Sequence, residues 1–350
     1  MKVDTNLFES LSRWIKRLDL GELKAIEKLV GDASTRQYFR VQLSDNSYVA
    51  VIAPKESLMN TAFVQIQKLF LNMHVPVPEI ISEDKTQGFM LQEDLGDTMM
   101  LNRLTSKNVD AIYPEVFDYL LTFLQLAPST IADLPLYDEA FFRREMDQFD
   151  KHFLSGWLGL ELNANELIIV EKAKTFLIEK ALEQPYGFVH RDFHSRNMMF
   201  NDNRWVVIDF QDAVQGPLTY DLVSLLKDCY IDWPDEQVEQ WVKTYYDRLV
   251  QNPKAPFANW PYREFLTQFH LMGLQRHLKV LGIFTRLAMQ DQKTNYLQYL
   301  PRVFQYILSV TGRYEAMADF NAFLLTKVAA LVEQKLASHS LPSDDSGVHS

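Results

Sequence analysis

The chain has 350 residues, of which 47% are hydrophobic and 13% aromatic, so it can bury a substantial core and is not a disordered protein. Lysine and arginine number 35 against 46 acidic residues, and the net charge of −11 argues against a sequence-independent nucleic-acid binder. A single cysteine, Cys229, excludes a disulfide within the chain and predicts a reducing, cytoplasmic location.

The first twenty residues predict an amphipathic helix rather than a signal peptide. Charges of both signs interrupt its apolar positions, and no segment of the chain reaches the apolar length that a membrane span requires. The apolar positions that share one helical face are Leu7, Leu11, Trp14, Ile15 and Leu18. We expect this face to pack on the domain that follows; a membrane-surface helix is the alternative, which the mixed charges disfavour.

The pattern then changes to one of short strands. Residues 25–53 predict a three-stranded antiparallel meander, because alternating apolar runs at 39–43 and 48–53 flank the turn sequence SDNS. A helix is predicted over about 61–73, and two further strands, EIIS and FMLQEDL, follow it. From Leu101 onward the pattern is almost wholly helical except around 188–211.

This order of elements predicts an α+β fold with two lobes. Residues 1–95 would form a small antiparallel β-rich N-lobe that includes the N-terminal helix, and residues 96–337 a large, mostly helical C-lobe. The last residues, 338–350, lack apolar periodicity and are predicted to be disordered.

One stretch, FVHRDFHSRNMMF at 188–200, crowds polar side chains beside aromatic ones and continues as NDNRWVVIDFQDA. A hairpin turn at Asp202-Asn203 would bring Asn197 beside Asp209, and such oxygen ligands are typical of Mg²⁺ sites. Asp192 would then stand close by, placed to accept a proton from an attacking hydroxyl. The cluster predicts a phosphoryl-transfer site; the alternative is that these residues cap helices and close turns.

Three motifs in this region resemble those of a known superfamily. His190-Arg191-Asp192, Asn197 and the run from Asp209 to Asp212 are similar to the catalytic loop and metal-binding aspartate of protein-kinase-like enzymes. The resemblance is to the aminoglycoside phosphotransferase branch and covers about 25–335. It implies a bilobal protein-kinase-like fold, with Asp192 as catalytic base, Asn197 and Asp209 as Mg²⁺ ligands, and a nucleotide-binding N-lobe beside a catalytic and substrate-binding C-lobe.

The segment after Asp209 indicates a small-molecule substrate. The sequence GPLTYDLVSLLKD follows within a few residues, which leaves no room for the long activation segment of protein kinases. Thr219 is predicted as the N-cap of the next helix. In the family, an aspartate at the position of Asp221 braces the catalytic loop.

The nucleotide side carries weaker motifs. The loop VGDASTRQYFR at 30–40 offers backbone N–H groups at Gly31 and the hydroxyls of Ser34 and Thr35 to phosphates, although a simple hairpin turn is the alternative. The stretch Gln92-Glu93-Asp94-Leu95 resembles the lobe-connecting hinge whose backbone reads adenine. The usual strand lysine is absent, since Ile52 stands at the matching position. The cations that could replace the lysine are Arg36, Arg40 and Lys55.

Three segments are similar to the bacterial cell-wall sugar kinases of this family: GDASTRQYFR at 31–40, DFQDAVQGPLTYDLVSLLKDCYIDWP at 209–234, and 275–287. Those enzymes phosphorylate the anomeric hydroxyl of N-acetylmuramate and N-acetylglucosamine in peptidoglycan recycling. Arg276, Lys279 and Arg286 share one helical face and would suit the lactyl carboxylate of muramate. The alternative is a solvated or salt-bridged face, as charge runs usually are. Asp212 would contact a sugar hydroxyl or close a turn.

The sequence thus predicts an ATP- and Mg²⁺-dependent kinase of a small amino sugar, with no nucleic-acid, membrane or obligate protein partner. Two other functions stay open. One is a kinase of another small alcohol, such as an aminoglycoside, choline or homoserine. The other is a nucleotide-binding regulatory protein without turnover, which the missing lysine favours.

Overall fold

A computed structural model of the chain describes residues 5–29, 36–53, 59–251 and 259–339. The chain divides into two compact units, the first made of Met1–Pro135 and Gly187–Gln215 and the second of Leu136–Tyr186 and Gly216–Ser350. This division does not follow the predicted boundary at 95/96, because residues 96–135 and the polar stretch group with the N-terminal strands. The functional roles assigned to the two predicted lobes stay predictions.

The first unit is built on a five-stranded antiparallel sheet with the strand order β1-β2-β3-β5-β4. The elements up to its last strand are α1 (Thr5–Arg17), β1 (Leu23–Lys28), β2 (Gln37–Leu43), β3 (Ser47–Ile52), α2 (Met59–Asn72), β4 (Ile80–Asp84) and β5 (Phe89–Glu93). The predicted meander, helix and following strands are all confirmed, with boundaries shifted by one to three residues.

Helix α1 covers one face of this sheet, as its apolar stripe predicted. Leu11, Trp14 and Ile15 are buried together with alternating residues of β2, β3 and β5. The strand residues in this cluster are Phe39, Val41, Leu43, Ala50, Ile52, Phe89 and Leu91. Because side chains alternate along a strand, Arg40, Val49, Val51 and Gln92 belong to the opposite face, where Arg40 pairs with Val49 and Val49 with Gln92.

The polar stretch forms a hairpin that is hydrogen-bonded into the first unit. After α3 (Val109–Phe123), the strands here are β6 (Tyr186–Val189), β7 (Met198–Asn201), β8 (Arg204–Val207) and β9 (Val214–Pro217). Thr98 accepts a hydrogen bond from Phe200 N at 2.8 Å, and Ser195 accepts one from Leu101 N at 3.0 Å. The linker after β5 is therefore hydrogen-bonded directly to the polar stretch, which explains why both lie in one unit.

The second unit is helical. Its helices are α4 (Glu139–Gln148), which continues into a π-helical segment (Phe149–Trp157), α5 (Ala164–Leu182), α6 (Tyr220–Leu226), α7 (Asp235–Leu249), α8 (Tyr262–Gln290), α9 (Leu300–Thr311), α10 (Ala318–Phe323) and α11 (Ala329–His339). Helix α11 reaches His339, so the helix extends into the predicted tail, and the rest of that tail lies outside the described residues. No helix among the described segments is both long and apolar enough to cross a membrane.

Thr219 precedes α6, as predicted, but its side chain does not cap it. Its side chain is buried and its hydroxyl donates to Oε1 of Gln184 at 2.8 Å instead of accepting from the first turn. Its backbone has helical dihedral angles, whereas a capping residue is usually extended. The predicted N-cap position is therefore confirmed, but the side-chain capping hydrogen bond is absent, because a buried glutamine that the sequence does not reveal binds this hydroxyl.

Three buried histidines predict how stability depends on pH. Burial lowers the pKa of His190 and of His270 to about 4, and that of His277 to about 3. An unfolded histidine titrates near 6.5, so between about pH 4 and 6.5 the unfolded chain binds more protons and stability rises with pH. Acidification from pH 7 to 5 is expected to remove about 2 kcal/mol per histidine from the free energy of unfolding. Urea unfolding at a series of pH values checks this.

The carboxylates with lowered pKa values, among them Asp94 and Asp235, also lose their stabilising effect on acidification. Their loss begins only as the pH approaches the ordinary aspartate value near 4, so the two contributions fall in different windows. A free energy of unfolding that stayed constant from pH 6.5 to 5 would contradict the assignment of neutral, buried histidines.

Candidate active site

The predicted catalytic residues lie on the two connections that flank the β7–β8 hairpin. The turn of this hairpin is at Asp202 and Asn203, whose φ angles of 47° and 55° are those of a two-residue turn that matches the strand twist. Met198 pairs with Val207, which places the residues before β7 next to those after β8. The hairpin therefore brings Asn197 and Asp209 to the same end of the ladder, as the sequence predicted.

Asn197 connects the three predicted catalytic residues. Its Nδ2 donates to the backbone carbonyl of Asp192 at 3.0 Å and lies 3.5 Å from Oδ2 of Asp209. Because the amide nitrogen is turned toward the Asp192 carbonyl, the amide oxygen is the atom left to face a cation. Asp192 and Asn197 are half-buried, and Asp209 is exposed.

His190 links the segment of Asp192 to the strand that ends before Asp209. Its Nε2 lies 3.0 Å from the carbonyl oxygen of Ile208, so this nitrogen donates, and Nδ1 accepts from the backbone N–H of Asp192 at 3.3 Å. The ring is fully buried and neutral, since burial lowers its pKa to about 4. His190 therefore fixes the distance between the segment of Asp192 and the segment of Asp209.

Both segments hold a non-glycine residue in the left-handed region of backbone space. The φ angle is 78° at Arg191 and 63° at Asp209. Such conformations cost of order 1 kcal/mol each and occur at functional sites as well as in turns. They direct the Asp192 and Asp209 segments out of the paths that regular strands would take.

Asp209 has the surroundings of a cation ligand. Desolvation and the nearby carboxylates of Asp192 and Asp212 raise its pKa, while Nε2 of Gln211 donates to Oδ1 at 2.8 Å. A carboxylate whose pKa is raised by neighbouring negative charge is stabilised by a divalent cation, and an amide oxygen is an accepted ligand for Mg²⁺. The donor set of Asp209 and Asn197 therefore fits Mg²⁺.

A group of buried aromatic rings, here called the aromatic bed, packs beside these two connections. Six buried rings contact one another and connect α2 and α3 to the segments of Asp192 and Asp209. The rings are Phe63, Phe70, Phe123, Phe188, Phe193 and Phe210. Phe193 follows Asp192 directly and Phe210 follows Asp209 directly. Each predicted catalytic carboxylate is thus adjacent in sequence to a ring that anchors its backbone.

On the nucleotide side, part of the predicted loop can be placed. Gly31, Ser34 and Thr35 lie outside the described residues, as does Lys55. Arg36 is buried, and its guanidinium lies 5.4 Å from the ring of Phe63, which stacks on Phe210 with centroids 4.5 Å apart. Arg36 therefore lies beside the group of aromatic rings that includes Phe63 and Phe210.

The predicted hinge leaves β5 at Glu93. Gln92 and Glu93 are the last paired residues of the strand, Asp94 is held by Arg40, and Leu95 is buried against Met199 and Val206. The side chain of Glu93 accepts from Nη2 of Arg204 at 3.2 Å. The predicted hinge is thus fixed to the β7–β8 hairpin.

Ile52, the position matched to the kinase lysine, lies in the core under α1. It packs with Ala50, so a side chain there cannot face a ligand on the opposite side of the sheet. The β3 residues that face that side are Val49 and Val51. The strand therefore offers no cation on either face, and Ile52 is a core residue.

Replacing Ile52 by lysine is therefore expected to destabilise the protein rather than improve ATP binding. The new ammonium would be buried without a partner carboxylate in an apolar cluster, at a cost of about 3–5 kcal/mol. Ile52→Leu, which keeps the volume, should cost less than about 1.5 kcal/mol. Chemical unfolding measures both, and an Ile52→Lys variant of unchanged stability would show that position 52 is not in the core.

The residues predicted to contact an acceptor are scattered over both units. Asp212 is exposed, and its carbonyl accepts from Nη1 of Arg191 at 3.3 Å. Lys279 is buried and forms an ion pair with Glu145 at 2.9 Å, while Arg286 lies 3.6 Å from Asp291. Two of the three predicted cations on α8 therefore form ion pairs within their own unit. This agrees with the alternative prediction, in which the charged face of the helix is salt-bridged.

The third cation, Arg276, is buried beside the single cysteine. Its Nη1 lies 3.5 Å from Sγ of Cys229. Burial raises the pKa of that thiol to about 11, so it is protonated at neutral pH and is not a nucleophile. Asp221, at the first turn of α6, is likewise buried, and its bracing role stays a prediction.

Two residues that contribute to the site were not predicted as site residues. His190 was noted only as part of the motif, and its bridging hydrogen bonds depend on the end of β8, eighteen positions later. Gln211, which orients Asp209, stands in the quoted sequence DFQDA. Its position two residues after a strand-end aspartate was the available signal.

Known proteins resemble this chain over most of its length. A family profile described as the phosphotransferase enzyme family matches residues 25–260. The N-acetylmuramate/N-acetylglucosamine kinase of Pseudomonas aeruginosa is 38% identical over 297 residues, which cover 84% of this chain and 86% of the relative. The enzyme of the same name from Pseudomonas putida is also 38% identical, over 84% of this chain and 85% of its own length.

A solved structure supports the fold. The crystal structure of an aminoglycoside phosphotransferase bound to ADP superimposes with a TM-score of 0.58 at 17% identity, over 87% of this chain and 98% of the other. At that identity the likeness concerns the fold alone. It agrees with the α+β, protein-kinase-like architecture predicted from the sequence.

Proposed function

Because the chain belongs to the phosphotransferase enzyme family, we propose that it is an ATP-dependent kinase that phosphorylates the anomeric hydroxyl of N-acetylmuramate or N-acetylglucosamine. One observation carries the chemistry: Asn197 binds the Asp192 carbonyl at 3.0 Å and lies 3.5 Å from the Asp209 carboxylate. The choice of an amino sugar rests on the two Pseudomonas kinases that are 38% identical to this chain.

In this mechanism Asp192 is the general base. Its carboxylate orients the anomeric hydroxyl of the sugar and accepts the proton as the oxygen attacks the terminal phosphorus of ATP. The bond between that phosphorus and the bridging oxygen breaks at the same time, and ADP leaves with the bridging oxygen. The direct in-line transfer needs no covalent intermediate on the protein, and the buried, protonated thiol of Cys229 has no part in it.

Asn197 and Asp209 would hold Mg²⁺, which supplies positive charge to the phosphate oxygens when it is bound. His190 and Gln211 keep these ligands in place, the first through Ile208 and Asp192 and the second through Oδ1 of Asp209. The two connecting segments therefore act as one preformed unit.

We assign to Arg36 the phosphate-facing charge that a strand lysine supplies in kinases. Its guanidinium lies at the aromatic bed, next to the ring that stacks on Phe210, and Phe210 follows the proposed metal ligand directly. Arg40 is engaged by two aspartates and is not available for this role. The cytoplasmic location and the place in peptidoglycan recycling stay predictions from the sequence.

A panel of acceptors tests the proposal. The full chain with Mg²⁺ and ATP would be given N-acetylmuramate, N-acetylglucosamine, kanamycin, choline and homoserine, with ADP release followed in each case. We expect kcat/KM to be highest for one of the two amino sugars. A preference for one of the other acceptors would replace the substrate class, and ADP binding without turnover of any acceptor would favour a regulatory nucleotide-binding protein.

A further inference from the structure

The strongest unassigned feature of the first unit is an ion-pair cluster that joins β2 to the hinge. Nε and Nη2 of Arg40 donate to the two carboxylate oxygens of Asp94 at 2.8 and 3.0 Å. Nη1 and Nη2 also donate to Asp97 at 3.1 and 2.9 Å. All three nitrogens of one guanidinium are therefore committed to two aspartates more than fifty positions away in the sequence.

The two aspartates are not equivalent. The side chain of Asp94 is 6% exposed, whereas that of Asp97 is 80% exposed. Hydrogen bonds and charge from Arg40, together with the backbone N–H of Gly96, hold the pKa of Asp94 below its ordinary value although burial alone would raise it. The inner pair is therefore the strong one, since exposed ion pairs contribute little.

Asp94 passes this restraint to the backbone of the hinge. Its Oδ1 accepts from the N–H of Gly96 at 3.0 Å as well as from Arg40, and Gly96 adopts a φ of 71° that suits glycine. Leu95 lies between these two fixed residues. Within the described part of the chain, no hydrogen bond uses the N–H of Leu95.

We propose that Arg40 is a positioning residue for the nucleotide: by clamping Asp94, it holds the N–H of Leu95 where it donates to the adenine base. This inference rests on the proposed function in taking a purine nucleotide as the ligand, and on the resemblance of residues 92–95 to a hinge whose backbone reads adenine. Arg40 lies on the sheet face opposite α1 and pairs with Val49, which pairs in turn with Gln92. The ion pair of Arg40 with Asp94 therefore reaches from β2 past β3 to the end of β5, on the side away from the α1 core.

The clamp also distinguishes Arg40 from Arg36. Arg36 is assigned to the phosphates, so its loss should affect the chemical step, whereas Arg40 acts only through the hinge and should affect nucleotide binding. The two roles are separable in the kinetics, because kcat at saturating ATP does not depend on how well the base is held.

The test is ADP binding by calorimetry to the full chain and its variants, with steady-state kinetics beside it. Arg40→Met is expected to raise the Kd of ADP and the KM of ATP about tenfold, while kcat and the KM of the acceptor stay at wild-type values. Asp94→Asn, which keeps the side-chain volume, should act in the same direction. Arg40→Lys should fall between the wild type and Arg40→Met, because lysine forms a single, non-planar contact.

Asp97→Asn is the matched control, since it removes only the exposed arm of the cluster and should change the Kd of ADP by less than about twofold. Wild-type ADP affinity in both Arg40→Met and Asp94→Asn would overturn the proposal. So would a parallel loss of kcat and of acceptor affinity, which indicates a damaged fold. ADP binding needs no acceptor, so failure of the amino-sugar assignment leaves this test intact, whereas a wild type that binds no ADP refutes both proposals.

Discussion

Replacing Asp192 by asparagine is expected to lower kcat by about 10²- to 10⁴-fold. The amide has nearly the same shape as the carboxylate, but it cannot accept a proton from the attacking hydroxyl. The backbone carbonyl of Asp192, which binds Asn197, is unchanged by the substitution. ADP affinity should therefore remain close to that of the wild type while turnover is lost.

Asp202→Asn is the matched control for this substitution. Asp202 lies in the exposed turn of the same hairpin, with a φ of 47° that asparagine tolerates well. We expect wild-type kcat in this variant, measured by ADP release with the preferred acceptor. Retention of more than about a tenth of wild-type kcat in Asp192→Asn would show that another group accepts the proton.

Replacing Gly282 by alanine is expected to destabilise the second unit by about 3 kcal/mol or more. A methyl group on this position of α8 would lie 2.3 Å from both the carbonyl carbon and the oxygen of Gln148, at the end of α4. Because these are backbone atoms of a neighbouring helix, no side-chain rotation relieves the overlap. The two helices would have to move apart.

Gly273→Ala serves as the control on the same helix. There the added methyl would meet only Cγ1 of Val223, at an ordinary contact distance of 3.6 Å. Alanine is also the better helix former, so this variant should equal or exceed the wild type in stability. Urea unfolding of the two variants compares them directly, and equal stabilities would mean that α4 and α8 do not approach closely at Gly282.

The sequence predicted the β7–β8 hairpin well because every residue that determines it lies within about twenty positions. The turn at Asp202-Asn203, the apolar run of β8 and the polar residues at both ends set the register locally. The stripe of α1 was equally informative, since Leu11, Trp14 and Ile15 do pack on the sheet.

Contacts between residues that are far apart in the sequence could not be predicted from the local pattern. The partner of Arg40 lies 54 positions away, and the hydroxyl of Thr219 binds a glutamine 35 positions earlier. The orientation of Ile52 depends on which face of the sheet α1 covers, and strand alternation alone does not reveal this. Likewise, the need for glycine at position 282 arises from a helix that begins 143 residues before it.

The most direct measurement for the proposed activity is ³¹P NMR of the product formed from N-acetylmuramate, Mg²⁺ and ATP, with Asp192→Asn run in parallel. The proposed mechanism predicts a sugar phosphate whose phosphorus couples to the anomeric proton, formed by the wild type and not by the variant. A phosphate on any other hydroxyl, or inorganic phosphate alone, would contradict an anomeric amino-sugar kinase.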